Sequence, residues 1–378
     1  MGGQLAKHVK SALVVGGGVG GAAVAIRLAE RGVVVDLVDI QENWGTTGTG
    51  VTLSVLTARA LCDLGFADGL MDHGHMHDTI TFHDVNGVVQ HVKTSPRLFS
   101  PDVPAEGGVL RPVLHNLLAA RLEVLGVSVC TATTVASFSE AGDKIHATFS
   151  DGRQASYDLM IGADGIQSKI RQTIRPDVPK PRYTGQVCWR AQFELPAHWQ
   201  GGMFFYGPHK VGFTPCGKNQ MYMFLLENVP EKPWYEGAEL LPHLKELLAP
   251  FGGELGAIRD AMDETTPVMA RPLETVLVDD PWYLGRVVII GDAAHSTTPH
   301  LASGAGMAVE DAIVLVDELD RAESVEAAMR AFMRRRLGRG QLVVGNSIRL
   351  GEMEQRGEAA EAQRALMLES IEAISQPY

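Results

Sequence analysis

Three textures of apolar and polar residues succeed one another along this chain. Short, uninterrupted apolar runs at Ser11–Val15, 33–38, 159–161 and 287–290 predict strands buried on both faces. Apolar residues at helical spacing predict helices over 22–31, 53–64, 112–125, 237–261, 324–337, 343–353 and 358–374. In the third of these, Leu114, Leu117, Leu118 and Leu122 share one face. Strict alternation predicts strands over 79–84 and 88–93 around an Asn86-Gly87 turn, and over 127–131 and 145–149, with a hairpin turn at Asp151-Gly152. From 179 to 267 the alternation carries aromatics and methionines, as in VCWRAQFEL, MFFYG, VGFTP and MYMFLL, which predicts an antiparallel sheet. Met221, Met223 and Leu225 then share one face, and Tyr222, Phe224 and Leu226 the other, so that only one set need face a ligand.

Chemistry attaches to the turns after the buried runs. GGGVGG follows Ser11–Val15, with Gly16, Gly18 and Gly21 fitting G-x-G-x-x-G, and the next strand ends at Asp39, about 20 residues on. This βαβ setting points to a dinucleotide site, with Asp39 accepting from a ribose hydroxyl; a plain glycine-rich turn is the alternative. A second such stretch is VVIIGDAAHSTTPHLASGAGMAVEDAIVL, in which a strand leads to Asp292, a loop through Pro299, and Gly304 and Gly306 at the start of a long helix. Unsatisfied N–H groups at a helix start suit an anion or an electron-rich ring. Arg111, just before Pro112 at a helix start, is a candidate for a phosphate or ring edge, and a surface charge otherwise. GADGIQSKIR puts Asp164 and Gly165 after a buried strand and Ser168 and Arg171 at a helix start.

Composition narrows the function. A chain of 378 residues with 45% apolar and 21% charged residues suits a globular protein of two substructures. A net charge of −12 disfavours nucleic acid or an anionic membrane as partner, because both select basic surfaces. Cys62, Cys130, Cys188 and Cys216 are far apart and form no CxxC pair, which suggests free thiols in a reducing, cytoplasmic compartment. Neither the run after Lys7 and Lys10 nor Gly2 makes a convincing targeting signal, and no stretch is an evident membrane span. His73, His75, His77 and His83 lack a ligand set of fixed geometry, so a polar loop and strand are expected there rather than a metal. The Arg334–Arg336 run is expected on a solvated helix face.

Taken together and in this order, the motifs resemble those of the class A flavoprotein monooxygenases, the FAD-dependent aromatic-ring hydroxylases. The resemblance rests on Gly16, Gly18, Gly21 and Asp39; on Arg111; on the segment from Asp158 to Arg171 with Asp164 and Gly165; and on Gly291, Asp292, Pro299, Gly304 and Gly306. It implies an α/β fold with a Rossmann-like FAD-binding domain of the glutathione-reductase type, an inserted antiparallel-sheet substrate domain and C-terminal helices. The FAD-binding domain would be discontinuous over 1–73, 95–178 and 268–350, with the substrate sheet at 74–94 and 179–267 and a helical segment at 351–378. Two departures from the family pattern stand out: Gly304-Ala305-Gly306-Met307 beside the flavin, with His300 after the proline, and Ser54-Val55 where Pro-Asn is frequent.

The implied activity is hydroxylation of a small electron-rich aromatic or N-heteroaromatic substrate with O2, through a flavin C4a-hydroperoxide. FAD is the cofactor, NADH or NADPH a transient donor, and the protein a monomer or homodimer. The resemblance gives FAD Gly16, Gly18, Gly21, Asp39, Arg111, Asp164 and Asp292, with Gly304, Ala305, Gly306 and Met307 beside the ring and Pro299 near its oxygen-reacting edge. Arg190 is a candidate for holding an anionic substrate or gating flavin motion, a structural ion pair being the alternative. Tyr222 and Tyr206 are candidates for a phenolate or heterocyclic oxygen, with a core role as the alternative. His300 is a candidate acid/base, because an imidazole exchanges protons near neutrality. His295 is expected to be structural. Alternatives of the same fold are a flavin halogenase or reductase, the former lacking its W-x-W-x-I-P signature at Trp189, and a non-catalytic flavin-binding redox protein.

Overall fold

The computed structural model describes residues 8–45 and 48–378; Gly2, Lys7 and the middle of the 45–50 loop lie outside the described residues. Ser11–Val15 is the centre of a six-stranded sheet, flanked by Val34–Val38 and Ser128–Cys130 on one side and by Leu159–Gly162, Val287–Ile289 and Tyr283–Leu284 on the other. All neighbours are parallel except the last pair. The apolar runs have no polar face because the sheet is covered both by helices and by a three-stranded antiparallel sheet of Val135–Ala141, Lys144–Phe149 and Gln154–Tyr157, which packs into the same core. Their side chains form one core with the helices Val19–Glu30, Arg111–Val124 and Gly304–Arg321.

The first helix begins at Val19, with Gly18 as its N-cap, three residues before the apolar period predicts. Two glycines inside a helix cost about 1 kcal/mol each against alanine. Packing explains one of them: a Cβ on Gly20 would lie 2.9 Å from the Ala308 Cβ, so Gly20 lets this helix and Gly304–Arg321 cross closely.

A second sheet of seven strands runs in the order Val268–Leu277, Arg182–Glu194, Gln220–Asn228, Lys210–Pro215, Gly202–Phe205, Thr79–His83, Val89–Thr94. Val268–Leu277, which the family resemblance assigns to the cofactor-binding part, is hydrogen-bonded along Arg182–Glu194 and belongs to this sheet. Met221, Met223 and Leu225 pack with Trp189, Phe205 and Phe213 against the helices Gly237–Leu248 and Gly253–Ala261. Tyr222, Phe224 and Leu226 therefore face the other way. The single helix expected over 237–261 is two, separated at Pro250 and by Gly253 at φ +58°.

A three-stranded sheet of Gly50–Leu53, Glu106–Leu110 and His75–His77 bridges the two large sheets and was not predicted. Gly107 and Gly108 give Glu106–Leu110 little strand propensity. A Cβ on Gly108 would lie 2.3 Å from the Pro215 carbonyl oxygen, so close approach to the seven-stranded sheet requires glycine there. The residues over 324–353 form one continuous helix, Val325–Gln355, rather than two, and it runs through the boundary expected at 350. Gly340, between the two expected helices, makes room for the buried Trp282, whose ring lies 3.0 Å from where its Cβ would be. Ala360–Ser375 closes the chain against this helix, around Met307, Leu350, Met353 and Leu366.

Candidate active site

Each glycine of the first motif has a different physical reason. Gly16 has φ +102°, and a Cβ there would lie 2.3 Å from the Ala163 carbonyl oxygen. A Cβ on Gly21 would lie 1.9 Å from the Gly16 carbonyl oxygen, so the helix packs directly on the turn. Around Gly18 a Cβ would meet nothing within 4 Å. That open, glycine-walled approach to a helix start is what a pyrophosphate needs, so these residues fit the ADP half of FAD. The Asp39 carboxylate accepts from the Gly17 N–H at 2.6 Å and the Gln41 N–H at 2.7 Å, which fixes it beside the turn.

Two neighbours of this turn escaped the pattern. The Trp44 indole N–H donates to the Gly17 carbonyl at 2.8 Å, and the His115 ring stands edge-on to Trp44 at 4.0 Å. Trp44 lies in no periodic element, and His115 is one of the polar positions of the helix Arg111–Val124, which the leucine pattern does not single out. Asp164 adjoins Gly16, but its carboxylate is occupied locally, accepting from the Ser168 hydroxyl and the Lys169 and Ile170 N–H groups. It satisfies the first N–H groups of the short helix Lys169–Ile174, whose N-cap is Ser168.

Between the parallel sheet and the aromatic sheet lies a recess. Arg111 and Asp292 are accessible to solvent, and Arg190 partly so, although all three are densely surrounded by protein. Side chains that are both surrounded and accessible line a cleft. Arg111 lies within electrostatic reach of Arg190, Asp292 and Tyr222. Burial pushes the Asp292 carboxyl up, and the charges of His295 and Arg111 counter it. Tyr222 is enclosed; burial pushes its phenol up, with Arg190 pulling it partly back, so it is a neutral hydroxyl near neutral pH. Its hydroxyl bonds Thr52, whose Oγ1 lies 3.1 Å from Thr214 Oγ1, a chain of three hydroxyls.

The helix start at Gly304 and Ala305 is partly accessible, whereas Gly306 and Met307 are buried. Gly306 serves packing, since a Cβ would lie 2.8 Å from the Thr57 Cα. The Met307 side chain turns into the C-terminal helical core and its N–H bonds the Ser303 carbonyl at 2.8 Å, so of the four residues expected beside a ring only Gly304 and Ala305 present accessible surface. Pro299 begins a one-turn 3-10 helix, Pro299–Leu301, after which Ala302 adopts φ +47°. The Ser54 hydroxyl donates to the Ala302 carbonyl at 2.9 Å and accepts from the Thr57 N–H, so the departure at Ser54 holds this strained turn in place.

His300 is not placed as an acid/base. Its side chain has no accessible surface; Nδ1 lies 2.8 Å from the Thr298 hydroxyl and Nε2 3.1 Å from Glu354, which also accepts from Lys210 at 3.1 Å and from Gln186 at 3.2 Å. His300 joins the Pro299 turn to the long helix and the aromatic sheet. Arg336 corrects the expectation of a solvated arginine run: it is fully buried against Glu310 and Asp311, while Arg334 is exposed. His295 bonds Asp311 at 2.6 Å within this buried ionic cluster, a structural role. Tyr206 is 44% exposed at the end of its strand, away from Tyr222.

The histidines over 73–83 serve separate contacts. His75 bonds the Gly217 and Gln200 carbonyls, His77 is held by burial at about 4, and His83 stacks on Phe205. Among the described residues no group of three or more His, Cys, Asp or Glu side chains is placed to hold a metal ion. The described helices include none long and apolar enough to cross a membrane, and all four cysteines are free.

The family described as FAD binding domain matches residues 10–347. YetM of Bacillus subtilis, provisionally assigned as an FAD-dependent monooxygenase, is 31% identical over 353 residues, covering 93% of this chain and 95% of its own. The 2-heptyl-3-hydroxy-4(1H)-quinolone synthase of Pseudomonas aeruginosa is 31% identical over 311 residues, covering 80% and 79%. Among solved structures, HpxO of Klebsiella pneumoniae, in complex with FAD and uric acid, superposes with a TM-score of 0.85 at 23% identity, covering 97% of this chain and 94% of that one. Its likeness confirms the fold. With the glycine turn, the Asp292 turn and the recess between two sheets in one chain, this protein belongs to the FAD-dependent aromatic-ring monooxygenases.

Proposed function

We propose that this protein hydroxylates a small, electron-rich aromatic or N-heteroaromatic compound, held in the recess between the aromatic sheet and the Gly304 helix start. The observation that carries the reading is that Arg111 and Asp292, accessible although surrounded by protein, lie within electrostatic reach of each other, Asp292 in the same sequence motif as the glycine-opened helix start at Gly304, with Arg190 and Tyr222 also within reach of Arg111. FAD, once bound and reduced by NADH or NADPH, would supply the two electrons that activate O2, of which one oxygen atom goes to the ring and the other leaves as water.

In this reading Gly16, Gly18 and Gly21 receive the pyrophosphate, Asp39 the ribose, and Arg111 and Asp292 the region between pyrophosphate and ring. The N–H groups of Gly304 and Ala305 face developing negative charge on the flavin, where a helix start is favourable. Arg190 attracts an anionic or phenolic substrate. Tyr222 donates its phenolic hydrogen to a substrate oxygen or accepts one from it, and Thr52 and Thr214 relay the proton through the hydroxyl chain. Pro299 and the strained Ala302 turn shape the side of the site where water must be excluded. The four free cysteines suit the reducing environment of a cytoplasm.

The test is direct. The purified protein should show a flavin absorption spectrum, and some hydroxylated arenes or azines should accelerate NADH or NADPH oxidation and O2 consumption, yielding a product heavier by one oxygen atom. A protein that cannot be reconstituted with FAD, or whose NAD(P)H oxidation no aromatic stimulates, would refute the reading.

A further inference from the structure

Arg190 heads a row of paired residues that crosses six strands of the aromatic sheet. Arg190 pairs with Phe224, Phe224 with Gly212, Gly212 with Phe204, Phe204 with Phe82, and Phe82 with His91. Residues paired directly across strands point to the same face, so the whole row shares the face on which Arg190 and Tyr222 meet the recess. Five interstrand steps carry it roughly 24 Å from Arg190 to the sheet edge. The rings touch in sequence: Phe224 and Phe204 meet edge-on at 5.6 Å, Phe204 and Phe82 stack at 5.3 Å, and Phe82 and His91 stack at 4.3 Å. Gly212 leaves the gap over which the Phe224 ring lies, for a Cβ there would come within 2.4 Å of that ring.

Walls rise on both sides of this row. On one side stand Tyr222 and Thr214, bonded to Thr52, and farther out the Lys93–Glu106 pair at 3.3 Å. On the other stands Lys210, paired with Glu354 at 3.1 Å, and beyond it Tyr206, which feels the charge of Arg364 on the last helix. The rings of Phe224, Phe204 and Phe82 between these walls remain partly accessible. Aromatic surface at the bottom of a groove is costly to leave in water and favourable to cover with an apolar group. Both flanking lysines are neutralised by carboxylates, which disfavours a phosphate-bearing occupant such as a nicotinamide dinucleotide.

We propose that this row is a groove for a long alkyl substituent of the substrate, whose reacting ring is held at Arg190 and Tyr222 while its chain extends over Phe224 and Phe204 toward Phe82. The inference rests on the function proposed above and specifies its substrate class: alkyl-substituted aromatics rather than compact hydrophilic ones.

The probe is a series of 4-alkylphenols, from methyl to nonyl, titrated into the oxidised holoenzyme while the flavin absorption and the tryptophan fluorescence are followed. The dissociation constant should fall by about two- to fourfold for each added methylene over the middle of the series, the increment expected for burying a CH2 group. In Phe204→Ser, and separately in Phe82→Ser, the ratio of nonyl to methyl affinity should fall at least tenfold; the second variant, nearer the edge, stands in if the first does not fold. Affinity that is flat or weakens with chain length, or no binding by any member to an intact holoenzyme, overturns the groove. Failure of the function itself reads differently: the protein would hold no FAD, or no aromatic of any chain length would stimulate NAD(P)H oxidation.

Discussion

Arg336 and Asp311 meet inside the core at 2.7 Å, with no accessible surface on either side chain. The same guanidinium reaches Glu310 at 2.7 Å and the Met307 carbonyl at 3.1 Å. The other Asp311 oxygen accepts from the Gly291 N–H at 2.9 Å. One arginine on the long helix thus fixes both the turn that carries Asp292 and the helix that starts at Gly304, two walls of the proposed flavin site. Glu310 is further bound by Arg59 and Arg339, which also donate to carbonyls at Ile374 and Gln376.

Removing the guanidinium leaves two carboxylates buried and short of their partner. Arg336→Met should cost about 3–5 kcal/mol of folding stability, seen as a lower urea midpoint. Arg334→Ala, two residues away on the exposed side, should leave that midpoint nearly unchanged. Equal effects would contradict the buried placement of Arg336.

Acid should attack the same cluster. Burial opposes ionisation of Asp311, but the charges of His295 and Arg336 and its hydrogen bonds outweigh it and hold the carboxyl at about 2. A depressed folded-state value means that the stabilisation is complete above the unfolded value near 4 and is lost as pH falls toward about 2. The contribution is on the order of 2 kcal/mol. Urea midpoints measured across this window should fall more steeply in the wild type than in Asp311→Asn.

The glycine turn separates binding from folding. Gly18→Ala adds a methyl where only a cofactor would meet it, so the apoprotein should melt normally while FAD binds on the order of tenfold more weakly. Gly21→Ala drives a methyl into the Gly16 carbonyl and should destabilise the apoprotein by about 1–3 kcal/mol or more. Differential scanning calorimetry of the apoproteins, followed by FAD titration, distinguishes the two.

His300 and Tyr222 should differ in kind. His300→Ala removes a buried partner of Glu354 and Thr298 and should lower stability by about 1–3 kcal/mol, while the pH profile of kcat/KM keeps its shape. Tyr222→Phe breaks the hydroxyl chain to Thr52 and should alter the profile itself with little loss of stability. Loss of one limb of the profile in His300→Ala would restore that histidine as the acid/base.

Local determinants were legible in the chain. Strand, glycine turn, helix and strand follow within the first forty residues, and the roles of Gly16, Gly18 and Gly21 depend on neighbours in that same unit. The face assignment of Met221, Met223 and Leu225 against Tyr222, Phe224 and Leu226 followed from a period of two alone. Arg336, His300 and Met307 were not legible, because arginine, histidine and methionine suit several surroundings, and which one each meets is decided by a helix or turn distant in sequence. Glu106–Leu110 was hidden by glycines whose need appears only where Pro215 crosses them. The row from Arg190 to His91 is likewise a product of register: its members come from strands spread between Thr79 and Glu194 and on to Asn228. Alternation determined which way each aromatic points. Only strand pairing, set by the packing of the whole sheet, decided that they line up beside the site.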